Sequence, residues 1–551
     1  MSKNINNKII ISKLNLNLDD FSQKKFNINL NRVGFIFLVI LLFIILYSTR
    51  FVYLSSKTLQ NNSYKINKIN RADITDRHGN YIGKSVFTSN IGIDPKLVKD
   101  KKKLLVKLKY TFPDKDFEEI EKKIYGNKFF YIEKKIIPER YHQFKLLGEK
   151  SIRMEQKITR IYPDKNLFSH VVGQIDNDNN GISGLEKSFD QKLKDGRDRL
   201  TLTLDKELQF IIRNELLNSQ QIFKNVGGAG ILMNIKNGEI LSLVSVPDFN
   251  LNSRDDITDI NYINRATKGV YELGSVFKPF TIAAGLNNNL ISPSDIFLDL
   301  EKKLKCGGRT ISEYDEDLPK DLSVEDILIY SSNIGSVKIG QIVGQEKLKN
   351  FLEKIGILGR LNFDIEEIGN PLPFKWRNCK LKTVSYGHGI TTTPIQLARG
   401  YAILSNGGYQ VNPTLIKREF EKSSRQKLLN NDVSSKINPI LRKVVTDGTA
   451  SLSDVKGHEV GGKTGTAQIV ENGLYTNKKI NTFVSVFPIS DPKYVLVILL
   501  EDTKLSKNYV YKYRNKPGSF TGTPFNTAGW TSVEIAGKII DKIGPILATK
   551  Y

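Results

Sequence analysis

Three short segments of this chain carry the serine and lysine residues that acyl-transfer chemistry needs. The first segment, S-V-F-K, begins at Ser275, the second, S-S-N, begins at Ser331, and the third, K-T-G, begins at Lys463. A serine hydroxyl is a weak nucleophile at neutral pH and needs an adjacent base. A spacing of three residues on a helix puts Lys278 on the same face as Ser275. Lys278 can be that base if burial or a cationic neighbour such as Lys463 lowers its pKa.

The other residues of these segments have side chains suited to supporting roles in the same reaction. Ser331 can relay a proton between Lys278 and an amine, and Asn333 can donate a hydrogen bond to a substrate amide. The backbone N–H groups of Ser275 and Thr466 are candidate donors to an oxyanion. We expect a substrate carboxylate to be held by Lys463 and by the residues that follow it, Thr464, Gly465 and Thr466.

Each segment alone is weak evidence, because serine and lysine are common. Ser22-Gln-Lys-Lys25 near the N-terminus also fits the first pattern. The order of the three segments and their neighbours make the combination specific. Gly274 provides a helix start directly before Ser275, and Pro279 is tolerated so close to that start. The glycine pair before Lys463 favours an edge strand that is closely approached by a ligand.

Nothing in the sequence indicates a metal or a cofactor. The only cysteines are Cys306 and Cys379, neither lies in a C-x-x-C pair, and the five histidines form no cluster with ligand spacing. His388 and His458 lie between glycine-rich neighbours, and we interpret both as structural. A Cys306–Cys379 disulfide is possible in an oxidising compartment, but spacing alone does not decide whether it forms.

The net charge of +24 arises from 82 Lys and Arg residues against 58 Asp and Glu residues. Such an excess can serve nucleic-acid binding or an anionic surface. Here the lysines are spread along the chain among Asn and Ile and form no dense basic stripe interleaved with aromatic residues. We therefore interpret the charge as compositional and expect no nucleic-acid partner.

Residues 33–54 form an apolar stretch of the length that spans a bilayer as a helix. Arg50 near its end can extend its side chain to the interface, and no small-residue cleavage site follows. The sequence predicts an uncleaved anchor after a polar tail, residues 1–32. Lys and Arg residues occur on both sides of the anchor, so the positive-inside rule does not decide its orientation.

The remaining chain divides by texture near residue 200. Residues 55–200 are rich in charge and in short β-prone runs, and they predict an irregular α+β domain without chemistry of its own. Residues 201–551 predict a second domain with strands near both ends and helices between them. This order favours a central antiparallel sheet covered by helices, and so an α+β multidomain fold. The predicted elements include strands at 200–205, 229–235, 239–247, 481–489 and 493–502, and helices at 206–223 and 532–543.

Longer blocks around these segments resemble the class B penicillin-binding proteins, most closely those of the cell-division (septal) type. The resemblance covers nearly the whole chain after the tail. The blocks that carry it are RADITDRHGNYIG (71–83), RIYPDKNLFSHVVGQID (160–176), GISGLEKSFD (181–190), NRATKGVYELGSVFKPFT, SSNIGSVKIG, SYGHGITTTPIQLARGYAILSNGG and GGKTGTAQ.

The resemblance implies a D,D-transpeptidase that cross-links peptidoglycan. Ser275 would attack the D-Ala–D-Ala amide of a donor stem peptide, and the acyl group would pass to an amine on a neighbouring stem. β-Lactams would be inhibitors. The catalytic domain would lie in the periplasm and the tail in the cytoplasm, with residues 33–54 in the inner membrane. Residues 55–200 would form a non-catalytic pedestal of the dimerisation type, either a solvated spacer or a docking platform for divisome membrane proteins and a lipid-linked glycan polymerase.

Three other functions remain open at this stage. A β-lactam hydrolase or sensor can use the same serine–lysine site, although we identify no acid for a deacylating water. A non-enzymatic scaffold is disfavoured by the intact motif residues. An elongation-type transpeptidase would share all three segments, so the division role depends on the resemblance alone.

Overall fold

The computed structural model describes residues 30–61, 71–136, 138–196, 198–253, 259–377, 379–418, 425–471 and 473–551. The chain separates into two units, residues 1–68 and 69–551. Residues 1–29, which make up most of the predicted tail, lie outside the described residues.

The described residues of the first unit form one long helix, α1 (Leu30–Asn61). Its segment Asn31–Leu54 is long and apolar enough to cross a membrane, and it includes the predicted anchor, residues 33–54. Its large apolar side chains are exposed, as in Phe37 and Phe43.

The second unit begins with a five-stranded sheet built around the long strand β2, which pairs with β1, β3 and β4. β1 also pairs in parallel with β5, and short helices connect the strands. The strands are β1 (Ile74–Thr75), β2 (Tyr81–Ile93), β3 (Phe130–Ile136), β4 (Ile152–Ile161) and β5 (Leu200–Thr201); the helices are α2 (Lys101–Thr111), α3 (Phe117–Tyr125), α4 (Pro138–Leu146), α5 (Ser169–Val172), α6 (Gly184–Ser188) and α7 (Asp190–Asp195).

Part of this region has a small hydrophobic core of its own. Ile91 and Ile93 at the end of β2 pack with Leu108 of α2, and Phe112 stacks on Phe144 with ring centroids 4.0 Å apart. Another part of the region is stabilised by a cluster of buried charged side chains. Glu186 accepts from the Nε of Arg71 and, at 2.8 Å, from the Nε of Arg160, and all three side chains are buried.

From Lys206 onward the chain forms a second, larger sheet in the order β12-β13-β14-β6-β7, with every neighbouring pair antiparallel. β7 is buried along its whole length, and β14 is buried up to Glu501, so both faces of the sheet are covered. The strands are β6 (Gly227–Asn234), β7 (Ile240–Val246), β8 (Ile296–Phe297), β9 (Lys303–Cys306), β10 (Arg309–Ser312), β11 (Leu322–Ser323), β12 (Gly461–Glu471), β13 (Leu474–Phe487), β14 (Tyr494–Glu501), β15 (Val510–Lys512) and β16 (Ser519–Thr521).

Helices supply the cover. α8 and α17 pack against each other and against the sheet, and α15 and α16 also pack against it. The helices are α8 (Lys206–Phe223), α9 (Asp259–Tyr262), α10 (Lys278–Asn287), α11 (Val324–Ile329), α12 (Asn333–Val343), α13 (Gln345–Lys354), α14 (Lys380–Val384), α15 (Pro394–Ser405), α16 (Asn431–Thr446) and α17 (Ser532–Lys550).

The predicted fold class is confirmed, and α8 has the predicted bounds. The predicted strand at 200–205 is wrong in its length, because the strand proper is Leu200–Thr201 and Leu202 forms only an isolated bridge with Ile416. The Asp205 side chain instead accepts from the backbone N–H groups of Glu207 and Leu208 and caps α8. The predicted last helix also continues further, to Lys550.

The buried cluster yields a stability prediction. Glu186→Gln leaves Arg160 buried without a carboxylate partner, and breaking such a buried pair costs about 3–5 kcal/mol. We expect a lower urea midpoint for the full-length protein, followed by circular dichroism. As a matched control, Glu119→Gln breaks only the exposed pair with Lys123 and should leave the midpoint unchanged. Equal midpoints for the two variants would contradict the assignment.

Candidate active site

Ser275 lies in a 3-10 turn, Gly274–Phe277, directly before α10. Gly274 has a φ of +64°, and a Cβ there would come within 2.8 Å of the carbonyl oxygen of Thr466. Only glycine fits this position. Because a 3-10 turn has three residues per turn, Ser275 and Lys278 lie on the same side, as the spacing predicts. Ser275 is half-buried, whereas Lys278 is completely buried.

Lys278 reaches the junction between α11 and α12. Its Nζ donates to the Oγ of Ser331 at 2.9 Å, to the Oδ1 of Asn333 at 2.9 Å, and to the Ser331 carbonyl. Ser331 has a φ of +61°, a left-handed conformation that is uncommon for a residue with a side chain. Strain of this kind concentrates at functional sites, and here it accompanies the contact of the Ser331 hydroxyl with the lysine.

Lys463 approaches the same hydroxyl from the edge strand β12. Its Nζ lies 3.0 Å from the Ser331 Oγ and 3.1 Å from the Thr464 carbonyl, and the side chain is completely buried. A Cβ on Gly465 would come within 2.3 Å of the Leu273 carbonyl. Glycine at this point lets the strand pack directly against the turn that holds Ser275.

The two lysines are strongly perturbed. Burial lowers the pKa of Lys278 to about 7, although the negative charge of Glu313 acts in the opposite direction. Burial also lowers the pKa of Lys463 far below its ordinary value, and the nearby charge of Lys278 lowers it further. Near neutral pH the site therefore provides a neutral amine, which a general base requires.

The predicted substrate-binding threonines have protein partners in this structure. The Thr464 hydroxyl lies 2.7 Å from the Thr449 hydroxyl. The Thr466 hydroxyl donates to Asn481 and accepts from the backbone N–H of Ala528 at 3.0 Å. The half-buried Thr466 places its backbone beside Gly274, so the two predicted oxyanion donors belong to neighbouring segments.

Sequence reasoning missed Glu313. Its carboxylate accepts from the Ser332 hydroxyl at 2.6 Å and from the backbone N–H groups of Asn333 and Ile334 at 2.7 and 3.0 Å. It therefore anchors the start of α12 and, through it, the S-S-N segment. No motif marks this glutamate, because only folding brings it to Ser332.

Cys306 and Cys379 form a disulfide with their Cα atoms 5.4 Å apart, which answers the question left open by the sequence. Among the residues that the structure describes, no cluster of His, Cys, Asp and Glu side chains is suited to a metal ion.

Two family models match this chain. Residues 228–518 match the family model of the penicillin binding protein transpeptidase domain, and residues 66–215 match that of the penicillin-binding protein dimerisation domain. Two curated relatives each share 28% identity with the chain. A probable peptidoglycan D,D-transpeptidase FtsI of Caulobacter vibrioides aligns over 497 residues, 87% of this chain and 82% of that protein. Stage V sporulation protein D of Bacillus subtilis aligns over 492 residues, 79% of this chain and 74% of that protein.

The fold is shared with penicillin binding protein 3 from Mycobacterium tuberculosis, with a TM-score of 0.66 and 20% identity. That match covers 88% of this chain and 97% of the other.

The lowered pKa of Lys278 predicts a pH profile for covalent labelling of the full-length protein by benzylpenicillin. The neutral amine becomes more abundant as the pH rises to about 7. The labelling rate should therefore rise about tenfold per pH unit below that value and level off above it. Stopped-time gel fluorescence with a labelled penicillin measures the rate. Lys456→Gln, which alters an exposed lysine, is the matched control and should keep the profile. A rate that still climbs steeply toward pH 10 would contradict the assignment.

Proposed function

This chain belongs to the penicillin-binding protein transpeptidase family and is a peptidoglycan D,D-transpeptidase, and we propose that Ser275 is its nucleophile and Lys278 its general base. The observation that carries the proposal is the pair of buried lysine amines on either side of the Ser331 hydroxyl. The substrate is peptidoglycan, and β-lactams bind at the same serine.

In the acylation step the Ser275 Oγ attacks the carbonyl carbon of the D-Ala–D-Ala amide, and its proton passes to the neutral Nζ of Lys278. The backbone N–H groups of Ser275 and Thr466 stabilise the oxyanion that forms. The C–N bond then breaks. The Ser331 hydroxyl, which contacts Lys278 at 2.9 Å, relays the proton to the leaving D-Ala amine.

In the transfer step an amine of a neighbouring stem peptide attacks the acyl carbon. Its proton returns through Ser331 and Lys278, and the Ser275 oxygen leaves as a hydroxyl. Asn333 donates from its amide to the substrate backbone, and its Oδ1 holds Lys278 at 2.9 Å.

The K-T-G segment on β12 holds the terminal carboxylate of the donor peptide. Lys463 donates hydrogen bonds from its amine at this end of the site, while Thr464 and Thr466 donate from their hydroxyls. Gly465 leaves space for the strand to lie against the Ser275 turn. In this role the two threonines exchange their present partners, Thr449 and Asn481, for the substrate.

A β-lactam hydrolase is the alternative that the same residues raise. Hydrolysis needs a carboxylate that is free to activate water. Glu313 is the carboxylate whose charge acts on Lys278, and both of its oxygens are occupied by the start of α12. This arrangement supports a transferase whose acyl-enzyme waits for an amine.

We also propose the topology that charge patterning left open. The disulfide between Cys306 and Cys379 supports an oxidising compartment for the catalytic region. That region then lies in the periplasm, α1 crosses the inner membrane, and the tail, residues 1–32, lies in the cytoplasm. Residues 55–200 form the pedestal and residues 201–551 the transpeptidase domain. The two family matches support this division.

The division role is the finer part of the proposal. Several relatives, including those of Caulobacter vibrioides and Escherichia coli, carry the name FtsI, which supports a septal enzyme. In that role the pedestal contacts divisome membrane proteins, and a lipid-linked glycan polymerase supplies the strands to be joined. An elongation-type enzyme is the alternative.

Ser275→Ala tests the nucleophile. The variant lacks the attacking oxygen, so we expect complete loss of the penicillin adduct and of D-Ala release from a stem-peptide substrate. Intact-protein mass spectrometry of the full-length chain detects the adduct. Ser22→Ala, which alters another S-x-x-K sequence, should be labelled like the unchanged protein. An adduct on Ser275→Ala would refute the assignment, and rapid release of hydrolysed drug by the unchanged protein would favour the hydrolase.

Depletion of the protein in its own cells separates the two cellular roles. A septal enzyme should give filaments, because septum synthesis stops while elongation continues. Time-lapse microscopy measures cell length, and complementation by Ser275→Ala should fail where the unchanged gene succeeds. Rounded cells of normal length would favour the elongation-type enzyme.

A further inference from the structure

The hairpin β9–β10 lies between the disulfide and the catalytic residues. Cys306 ends β9 and pairs with Arg309 across the hairpin, and β10 ends at Ser312. The Ser312 carbonyl accepts from the Asn333 side chain at 2.9 Å, and Glu313 follows directly. The hairpin thus joins the disulfide at one end to the S-S-N segment at the other.

The Glu313 carboxylate lies at the start of α12, where unpaired backbone N–H groups favour an anion. Its Oε2 accepts from Asn333 N at 2.7 Å, and its Oε1 accepts from Ile334 N and from the Ser332 hydroxyl. Ser332 in turn caps the helix through Gly335 N at 2.9 Å. A negatively charged acceptor with three donors holds this turn more firmly than the serine cap alone.

The same turn presents the two groups that hold Lys278. Ser331 directly precedes the Ser332 cap, and Asn333 is the first residue of α12. Ser331 also has the left-handed conformation, which persists only if its surroundings impose it. The contacts of Glu313 provide that constraint on one side of the residue.

The disulfide partner of the hairpin, Cys379, belongs to a segment that packs against the Ser275 turn. Cys379 precedes α14, and a Cβ on Gly387, shortly after that helix, would come within 2.0 Å of the Gly274 carbonyl. The Ser385 carbonyl accepts from Thr281 of α10 at 2.9 Å. The disulfide therefore ties the hairpin to the segment that supports the Ser275 turn.

We propose that Glu313 is a positioning residue for the acylation of Ser275, which fixes Ser331 and Asn333 around Lys278, and that the Cys306–Cys379 disulfide holds the hairpin that presents it. The inference rests on the proposed function, in which Lys278 is the base. The charge of Glu313 also affects a second measurable quantity besides the rate, the pH dependence of acylation. Glu313 favours the charged form of Lys278, opposite to the effect of burial, so removing the carboxylate charge makes the amine less basic.

The test is the rate of acylation of the full-length protein by labelled benzylpenicillin as a function of pH. Glu313→Gln should slow the plateau rate about 10- to 100-fold, the scale on which small misplacements of catalytic groups act. Its acid limb should move to lower pH. Glu313→Asp keeps the charge and should keep the acid limb near that of the unchanged protein. Glu316→Gln removes an exposed carboxylate from the same loop and should change neither quantity.

An unchanged rate and acid limb in Glu313→Gln would overturn the proposal. A slower rate with an unmoved acid limb would also overturn it, because the loss would then reflect general destabilisation. If the unchanged protein is not acylated at all, the proposed function itself fails. The two failures are therefore distinct.

The disulfide is tested by combining variants. Cys306→Ser/Cys379→Ser should slow acylation when Glu313 is present. In the Glu313→Gln background the same double substitution should slow acylation by less than a further factor of about two, because the effects of residues that act through one another are not additive. Equal effects in both backgrounds would overturn the part of the proposal that concerns the disulfide.

Discussion

One serine hydroxyl shared by two buried lysine amines is the constraint on which the site depends. Ser331 Oγ lies 2.9 Å from Lys278 Nζ and 3.0 Å from Lys463 Nζ. Two ammonium charges so close together in a buried site repel strongly, and burial disfavours each of them. At least one amine must therefore be neutral near physiological pH. The site obtains its base from this constraint without a histidine or a carboxylate.

The surrounding fold can be understood as the means of keeping these groups together. Ser275 and Lys278 come from a turn before α10, Ser331 from the junction of α11 and α12, and Lys463 from the edge strand β12. Glycine allows the strand and the turn to meet with backbone in contact. A sheet covered on both faces gives β12 a fixed position. The described residues before Lys206, some of which form a separate hydrophobic core, take no part in the contacts among these catalytic side chains.

Much of this could be predicted from the sequence, for identifiable reasons. α8 has the spacing of apolar residues that is typical of a helix, and β6 and β7 are apolar runs joined by a tight turn. The motif residues were found because their order and spacing are local. Glu313 was missed because its role depends on contacts with residues 19 to 21 positions further along the chain, which no pattern marks. Cys306 and Cys379 lie 73 residues apart. The predicted strand at 200–205 was too long, because its alternating pattern does not show that Asp205 caps α8.

The central claim is that Lys278 is neutral near physiological pH, and its titration can be observed directly. Nitrogen-15 NMR of the full-length protein, labelled at the lysine side-chain nitrogens, would follow each amine with pH. The signal absent from a Lys278→Gln variant should titrate near pH 7, far below the ordinary value of 10.5. If that signal titrates near 10.5 instead, Lys278 is charged at neutral pH and the account of the site is wrong.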